Sequence, residues 1–277
     1  MLKKLLKYDF NAIFKYWWIG ALTTFFLSFV GAGCGSILET EKEFPIGVTM
    51  IATIGMVLVV LSIFAFIIFA ELLIYIRFYK HLFTDEGYLT FTLPVKRYQV
   101  LSSKLISGFI CGLSTIFVAV AEGAIILLTT FRKDIFIEGW YDRLINSIKE
   151  IIAEDGILYL TTFFLEIIVF ALLVITLGIL FTYLCITFAG SISKKSKLAS
   201  AILVYYAATS VSSVFVYLLF FFGMESLFEW IFTLSNENTQ DAILLVILLL
   251  IILFVAMLCT IAYTLNNWLI DRKLNLN

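Results

Sequence analysis

The chain has 277 residues, of which 62% are hydrophobic and 14% are charged, and its formal net charge is −1. Its mean hydropathy of +1.06 excludes a soluble globular protein and indicates an integral membrane protein. We expect no nucleic-acid partner. The apolar runs are continuous and far longer than the strands of a membrane barrel, so the predicted fold class is all-α.

Six apolar stretches are long enough to cross a bilayer, which requires about 20 residues per helix. They are Trp17–Leu38, Ile46–Ile76, Leu105–Phe131, Ile157–Ala189, Leu198–Met224 and Ala242–Leu265. We therefore predict six transmembrane helices in a single membrane domain that covers residues 1–277.

The chain before the first span is basic and amphipathic. Apolar residues recur at helical spacing in residues 1–16, together with Lys3, Lys4, Lys7 and Lys15. This pattern predicts an interfacial helix on the membrane surface. The alternative is a simple positively charged flank of the first span.

Two pairs of glycines within the spans are each four residues apart. Gly31 and Gly35 belong to the first span, and Gly108 and Gly112 belong to the third. This spacing lets helix backbones approach closely in lipid, so we predict helix packing at these positions.

Three carboxylates, Glu71, Glu122 and Glu166, lie inside the spans. Because burying an ionisable group in lipid costs roughly 3 kcal/mol or more, such groups are functional candidates, here for a substrate pathway. Glu71 and Glu166 lie near span ends, whereas Glu122 is well inside the third span. Glu122 either lines a pathway or forms hydrogen bonds to neighbouring helices, and both interpretations stay open.

The polar connection 77–104 joins the second and third spans. We expect the second span to continue as a helix until Gly87, whose permissive backbone suits a turn. Pro94 fits the first turn of a new helix that runs through Ser103 into the third span. The result is a predicted helical elbow that could transmit movement from a soluble partner. The alternative is a solvated connection without a partner.

Two other connections between spans are predicted to contain short structured segments. They are expected to lie on the outer side of the membrane, opposite to the connection 77–104. Residues 132–156 include apolar positions at helical spacing, which predict an amphipathic helix that either lies on the outer membrane face or covers the outer end of a pathway: Trp140, Leu144, Ile145, Ile148, Ile151 and Ile152. In the other connection, residues 225–241, the part Glu225–Leu234 alternates acidic and apolar side chains, which predicts a short interfacial or re-entrant segment.

The basic residues predict the orientation. With both termini in the cytoplasm, 14 of the 19 Lys and Arg residues fall on the cytoplasmic side, and the exceptions are Lys42, Arg132, Lys133, Arg143 and Lys149. Short cytoplasmic loops are enriched in Lys and Arg, which favours this orientation over its inverse.

An enzyme is disfavoured. His81 is the single histidine, the four cysteines show neither metal-ligand nor redox spacing, and the sequence has no nucleotide-binding P-loop. We expect that this chain has no catalytic or metal site and binds no cofactor itself.

The sequence Phe83–Val95, FTDEGYLTFTLPV, followed by Ser102, Ser103 and Lys104, resembles the loop after the second span in ABC-2 type permeases of Gram-positive bacteria. The segment Leu5–Phe10 resembles their N-terminal segment. The specific match covers about a tenth of the chain.

This resemblance implies a six-helix permease of the ABC-2, type V exporter-like fold in the bacterial plasma membrane. It also implies two copies of a separate ATP-binding cassette subunit, which bind ATP and Mg, and a second permease, identical or homologous. The family's coupling helix carries over to Asp85, Glu86, Gly87, Tyr88, Thr92, Leu93 and Pro94. Export of a peptide antibiotic, lipid or drug, and resistance to antimicrobial peptides, are the expected functions.

Two competing functions stay open. In the first, the chain is an ion-coupled secondary transporter whose sites are Glu71, Glu122 and Glu166. In the second, it is a membrane scaffold or sensor without transport, for which the segment 132–156 is the main argument.

Overall fold

The computed structural model describes residues 2–40, 44–84, 87, 96–130, 139–154, 156–192, 197–219 and 237–272. These residues form seven α-helices and no strand: α1 (Leu2–Glu39), α2 (Ile46–Phe83), α3 (Arg97–Thr130), α4 (Trp140–Glu154), α5 (Gly156–Ile192), α6 (Lys197–Leu219) and α7 (Glu237–Arg272). The predicted all-α class is confirmed.

Five helices, α1, α2, α3, α5 and α7, are long and apolar enough to cross a membrane. The chain is therefore a multi-pass, all-helical membrane protein. The predicted span Leu198–Met224 overlaps α6, whose apolar part, Ala199–Val214, is shorter than the other five. Because residues 220–236 lie outside the described residues, the count of six spans stays a prediction.

The predicted boundary between an interfacial helix and the first span differs from the structure. We predicted an interfacial helix in residues 1–16 and a span from Trp17, whereas α1 is one continuous helix from Leu2 to Glu39. No proline precedes Pro45, so nothing in the sequence breaks the helix at this junction. The position of residues 1–16 at the membrane surface stays a prediction. Of the predicted outer segment 225–241, residues 237–241 are the first turn of α7, and the rest lies outside the described residues.

The chain divides into two compact units, which are described separately. The first unit contains Met1–Phe78 and Ile106–Lys149, and the second contains Tyr79–Leu105 and Glu150–Asn277. The end of α2 and the start of α3 thus belong to the second unit.

In the first unit, one face of α1 is buried along almost its whole length. Its buried residues recur every three or four positions: Asp9, Ile13, Trp17, Ala21, Thr24, Ser28, Gly31 and Gly35. Trp17 donates a hydrogen bond to Thr115, and Thr24 donates one to Glu122, in both cases 98 residues along the chain. Equal offsets mean that α1 and α3 run parallel.

The glycines on this face allow the helices to approach closely. A Cβ atom added at Gly31 would lie 2.9 Å from Cγ1 of Val59 on α2. One added at Gly35 would overlap the side chain of Thr130 on α3. Of the other predicted pair, Gly108 is buried and Gly112 is half-buried.

In the second unit, α5 packs against both α6 and α7. Asn266 of α7 is fully buried, and its amide nitrogen donates to the carbonyl oxygens of Leu180 and Ala262, each at 3.0 Å. The hydroxyl of Thr187 donates to Asn266 Oδ1 at 3.1 Å. A polar side chain within a membrane helix requires such partners, so this cluster fixes α7 against α5.

Candidate functional site

The end of α2 lies at the edge of the predicted coupling connection. We predicted that α2 continues past Phe78 and Tyr79 until Gly87. It does continue past both residues, but it ends four residues before Gly87, at Phe83. Phe83 is buried, and its ring lies where a Cβ atom on Gly190 of α5 would be. Its ring also stacks on Tyr79, with centroids 5.9 Å apart. The end of α2 is therefore packed firmly against α5.

Gly87 is the one predicted coupling residue that the structure describes. It is buried and helical, and its N–H donates to the carbonyl oxygen of Thr84 at 2.7 Å. A Cβ atom at this position would lie 2.7 Å from the backbone oxygen of Leu82. Because backbone atoms cannot move aside as a side chain can, this close approach requires glycine here. Asp85, Glu86, Tyr88, Thr92, Leu93 and Pro94 lie outside the described residues, so their roles stay predictions.

The start of α3 is fastened to the end of α7. One guanidinium nitrogen of Arg97 donates to the carbonyl oxygens of Ile270 at 3.0 Å and Asp271 at 2.7 Å. These carbonyls belong to the last turn of α7, where a cation satisfies free acceptors and complements the helix dipole. The predicted helix through Ser103 into the third span is present, but it begins at Arg97 and not at Pro94, because Lys96 lies outside the helix. Pro94 itself is not among the described residues.

Two further contacts hold the first turns of α3. The hydroxyls of Ser102 and Tyr263 of α7 are 2.9 Å apart, and the Tyr183 hydroxyl of α5 donates to the carbonyl oxygen of Lys104 at 3.3 Å. Both flanks of the connection between Phe83 and Arg97 are therefore attached to α5 and α7 within the second unit.

A buried ion pair joins α1 to α2 in the first unit. Arg77 Nε lies 3.3 Å from Asp9 Oδ1, and the Asp9 side chain is 2% exposed. The sequence alone does not pair these two residues. Asp9 belongs to the segment Leu5–Phe10, which resembles ABC-2 permeases, and Arg77 is the first residue of the connection 77–104. The available signal was the spacing of four between Asp9, Ile13 and Trp17, which places Asp9 on the buried face of α1.

Glu122 is fully buried between helices of the first unit. The hydroxyl of Thr24 donates to Glu122 Oε1 at 2.7 Å, whereas Oε2 has no hydrogen-bond partner in the described part of the chain. Of its two predicted roles, the hydrogen bond to a neighbouring helix is thus present, and a role in a pathway stays a prediction.

The other two predicted pathway carboxylates have different surroundings. Glu71 lies on an exposed part of α2 in the first unit. Glu166 is half-buried on α5 in the second unit, and its Oε2, like that of Glu122, has no hydrogen-bond partner among the described residues. Among the described residues, Glu122 is therefore the carboxylate with the strongest structural case for a role inside the membrane.

Replacing Thr24 with valine is expected to destabilise the protein by about 1 kcal/mol, the typical size of an interhelical hydrogen bond in membranes. The substitution keeps the shape of the side chain and removes the donor to Glu122. Thr23→Val is the matched control, because the exposed Thr23 hydroxyl bonds to backbone oxygens of its own helix. Unfolding in detergent would measure both, and equal losses would show that the Thr24–Glu122 bond contributes nothing.

No protein-family model, curated protein or solved structure matches this chain.

Proposed function

We propose that this chain is the transmembrane permease subunit of a bacterial ABC-2 type exporter. In this proposal both termini lie in the cytoplasm, and the connection between α2 and α3 receives an ATP-binding cassette subunit. A second permease completes the membrane pathway, and the cassettes supply the ATP and Mg sites. The cargo is a hydrophobic or amphipathic molecule such as a peptide antibiotic, a lipid or a drug.

The observation that supports this proposal most is the attachment of both flanks of the connection. Phe83 packs on Gly190 of α5, and Arg97 binds the last carbonyls of α7. A solvated connection without a partner needs no such attachment. A connection that transmits movement from a soluble partner needs this attachment, because the movement must reach the membrane helices to change their arrangement.

The distribution of charge supports the orientation. The basic residues Arg77, Lys80, Lys96 and Arg97 flank this connection, which is the enrichment typical of a cytoplasmic loop. In the proposed mechanism, closure of the cassettes on ATP moves the connection, and α5 and α7 move with it. ATP then drives transport because the two states of the permease differ in these contacts.

The test is purification of the tagged full-length chain from membranes of its native host, as wild type and as two variants. We expect a near-equal amount of an ATP-binding cassette protein and ATP hydrolysis by the complex. Gly87→Ala, which would clash with the Leu82 carbonyl, should reduce cassette recovery about tenfold, equivalent to about 1.4 kcal/mol. Gly123→Ala is the matched control, because a Cβ atom there meets nothing within 4 Å. Recovery of no cassette protein with any of the three chains would refute the proposal.

One observation favours a second candidate, an ion-coupled carrier. Glu122 keeps one buried oxygen without a hydrogen-bond partner among the described residues, and an ionisable group inside a membrane helix is a candidate for binding an ion or a proton. Purified chain in vesicles distinguishes the two candidates. Uptake driven by an ion gradient without any ATP-binding protein, and lost in Glu122→Gln, would favour the carrier.

A further inference from the structure

The helix α4, between the spanning helices α3 and α5, separates apolar and polar residues sharply. At 100° per residue, its apolar positions fall within an arc of about 140°. Those whose side chains the structure describes are Tyr141, Ile145 and Ile148, and the other side carries Asp142, Arg143, Asn146, Lys149 and Glu150.

Of the three apolar side chains of α4 that the structure describes, two are exposed. Tyr141 is 61% exposed and Ile148 is 38% exposed, while Ile145 is half-buried. A solvated helix would not be expected to leave an apolar side open along two turns, so this side requires a cover.

The link between α4 and α5 indicates what covers the apolar side of α4. α4 ends at Glu154, and the spanning helix α5 begins at Gly156, so one residue separates the two. Gly156 has a φ of 85°, a left-handed conformation that redirects the chain, so α4 is not an extension of α5. α4 is therefore held at the end of a membrane span.

The apolar surface continues on the other side of this turn. Ile157 and Leu158, the next residues of α5, are 65% and 76% exposed. In a helix that enters the bilayer, such side chains face lipid. An amphipathic helix one residue away has the same lipid within reach of its open side.

We infer that α4 lies in the bilayer surface, with Tyr141, Ile145 and Ile148 among the lipid chains and Asn146 and Glu150 in water. The occupant of its apolar side is lipid. This inference does not depend on the proposed transport function.

The charges of α4 define the kind of lipid contact. Asp142, Glu150 and Glu154 oppose Arg143 and Lys149, so the helix has no basic surplus for anionic head groups. Burial of the apolar side therefore provides the attraction, and neutral phosphatidylcholine suffices as the bilayer.

The test uses the full chain in phosphatidylcholine vesicles, with its four native cysteines replaced by alanine and one spin-labelled cysteine at position 141, 146, 148 or 150. Collision with oxygen reports lipid, and collision with a water-soluble nickel chelate reports water. We expect oxygen to dominate at positions 141 and 148, and nickel to dominate at positions 146 and 150. Adding phosphatidylglycerol to the vesicles should leave this pattern unchanged.

Three results would overturn the inference. Shielding of position 148 from both reagents would mean that protein covers the apolar side. Nickel access at all four positions would place α4 in water. If position 148 entered lipid only in vesicles that contain phosphatidylglycerol, charge and not apolar burial would hold the helix at the membrane.

Discussion

Replacing Arg77 with methionine is expected to lower the free energy of unfolding by about 3 kcal/mol, the largest loss that we predict for a single substitution. Removing one partner of a buried ion pair costs about 3–5 kcal/mol, because the other charge loses its compensation away from water. Asp9 is 2% exposed and Arg77 is 22% exposed, so the lower end of this range applies. Denaturant titration of the purified chain in detergent would measure the loss.

Asp9 is more deeply buried than Arg77, and this difference supplies a sharper test. Asp9→Asn should cost about 1 kcal/mol, because the partly exposed Arg77 can be hydrated when its partner is neutral. The double variant should cost less than the sum of the two single variants. Lys80→Met is the matched control, because Lys80 is exposed on the same helix. A loss for Arg77→Met no greater than that for Lys80→Met would contradict the role of the ion pair.

Gly190→Ala is expected to cost about 2 kcal/mol by overpacking the contact with Phe83. The added Cβ atom would overlap the Phe83 ring, which is buried and stacked on Tyr79 and so cannot easily move away. If the coupling proposal is correct, this variant should also separate ATP hydrolysis from transport, because it displaces the end of α2 from α5. Thermal unfolding and ATP hydrolysis by the recovered complex would measure the two effects.

Two comparisons isolate this contact. Gly178→Ala on the same helix should be neutral or slightly stabilising, because a Cβ atom at Gly178 meets nothing within 4 Å and alanine favours helix. In a Phe83→Ala background, Gly190→Ala should cost little, because the ring that it would overlap is gone. An equal cost of Gly190→Ala in both backgrounds would show that Phe83 is not the cause.

Helices were predictable where a single property of the sequence determines them. The bilayer requires long apolar runs, and these runs located the spans in α1, α2, α3, α5 and α7. The continuation of α2 past Tyr79 followed from the absence of a helix breaker, although α2 ends before Gly87, and α4 followed from its apolar periodicity. Continuity of α1 was missed because an interfacial segment and a span were treated as separate elements.

Contacts between distant residues were not predictable in the same way. Asp9 and Arg77 are 68 residues apart, and Arg97 and Ile270 are 173 apart. Each pairing depends on which helices are neighbours and in which register, and a single sequence does not contain that information. For Glu122, the sequence indicates a carboxyl group well inside a span, whereas only the structure identifies Thr24 as its hydrogen-bond donor.

The most direct test of the proposed function is photo-crosslinking in cells of the native host. A benzoylphenylalanine at position 96, an exposed site beside Arg97, would probe the connection, and one at position 117, where Phe117 is 77% exposed on the spanning helix α3, would be the control. The proposal predicts a crosslink from position 96 to an ATP-binding cassette protein, and none from position 117. Normal membrane insertion without any crosslink from position 96 to such a protein would contradict it.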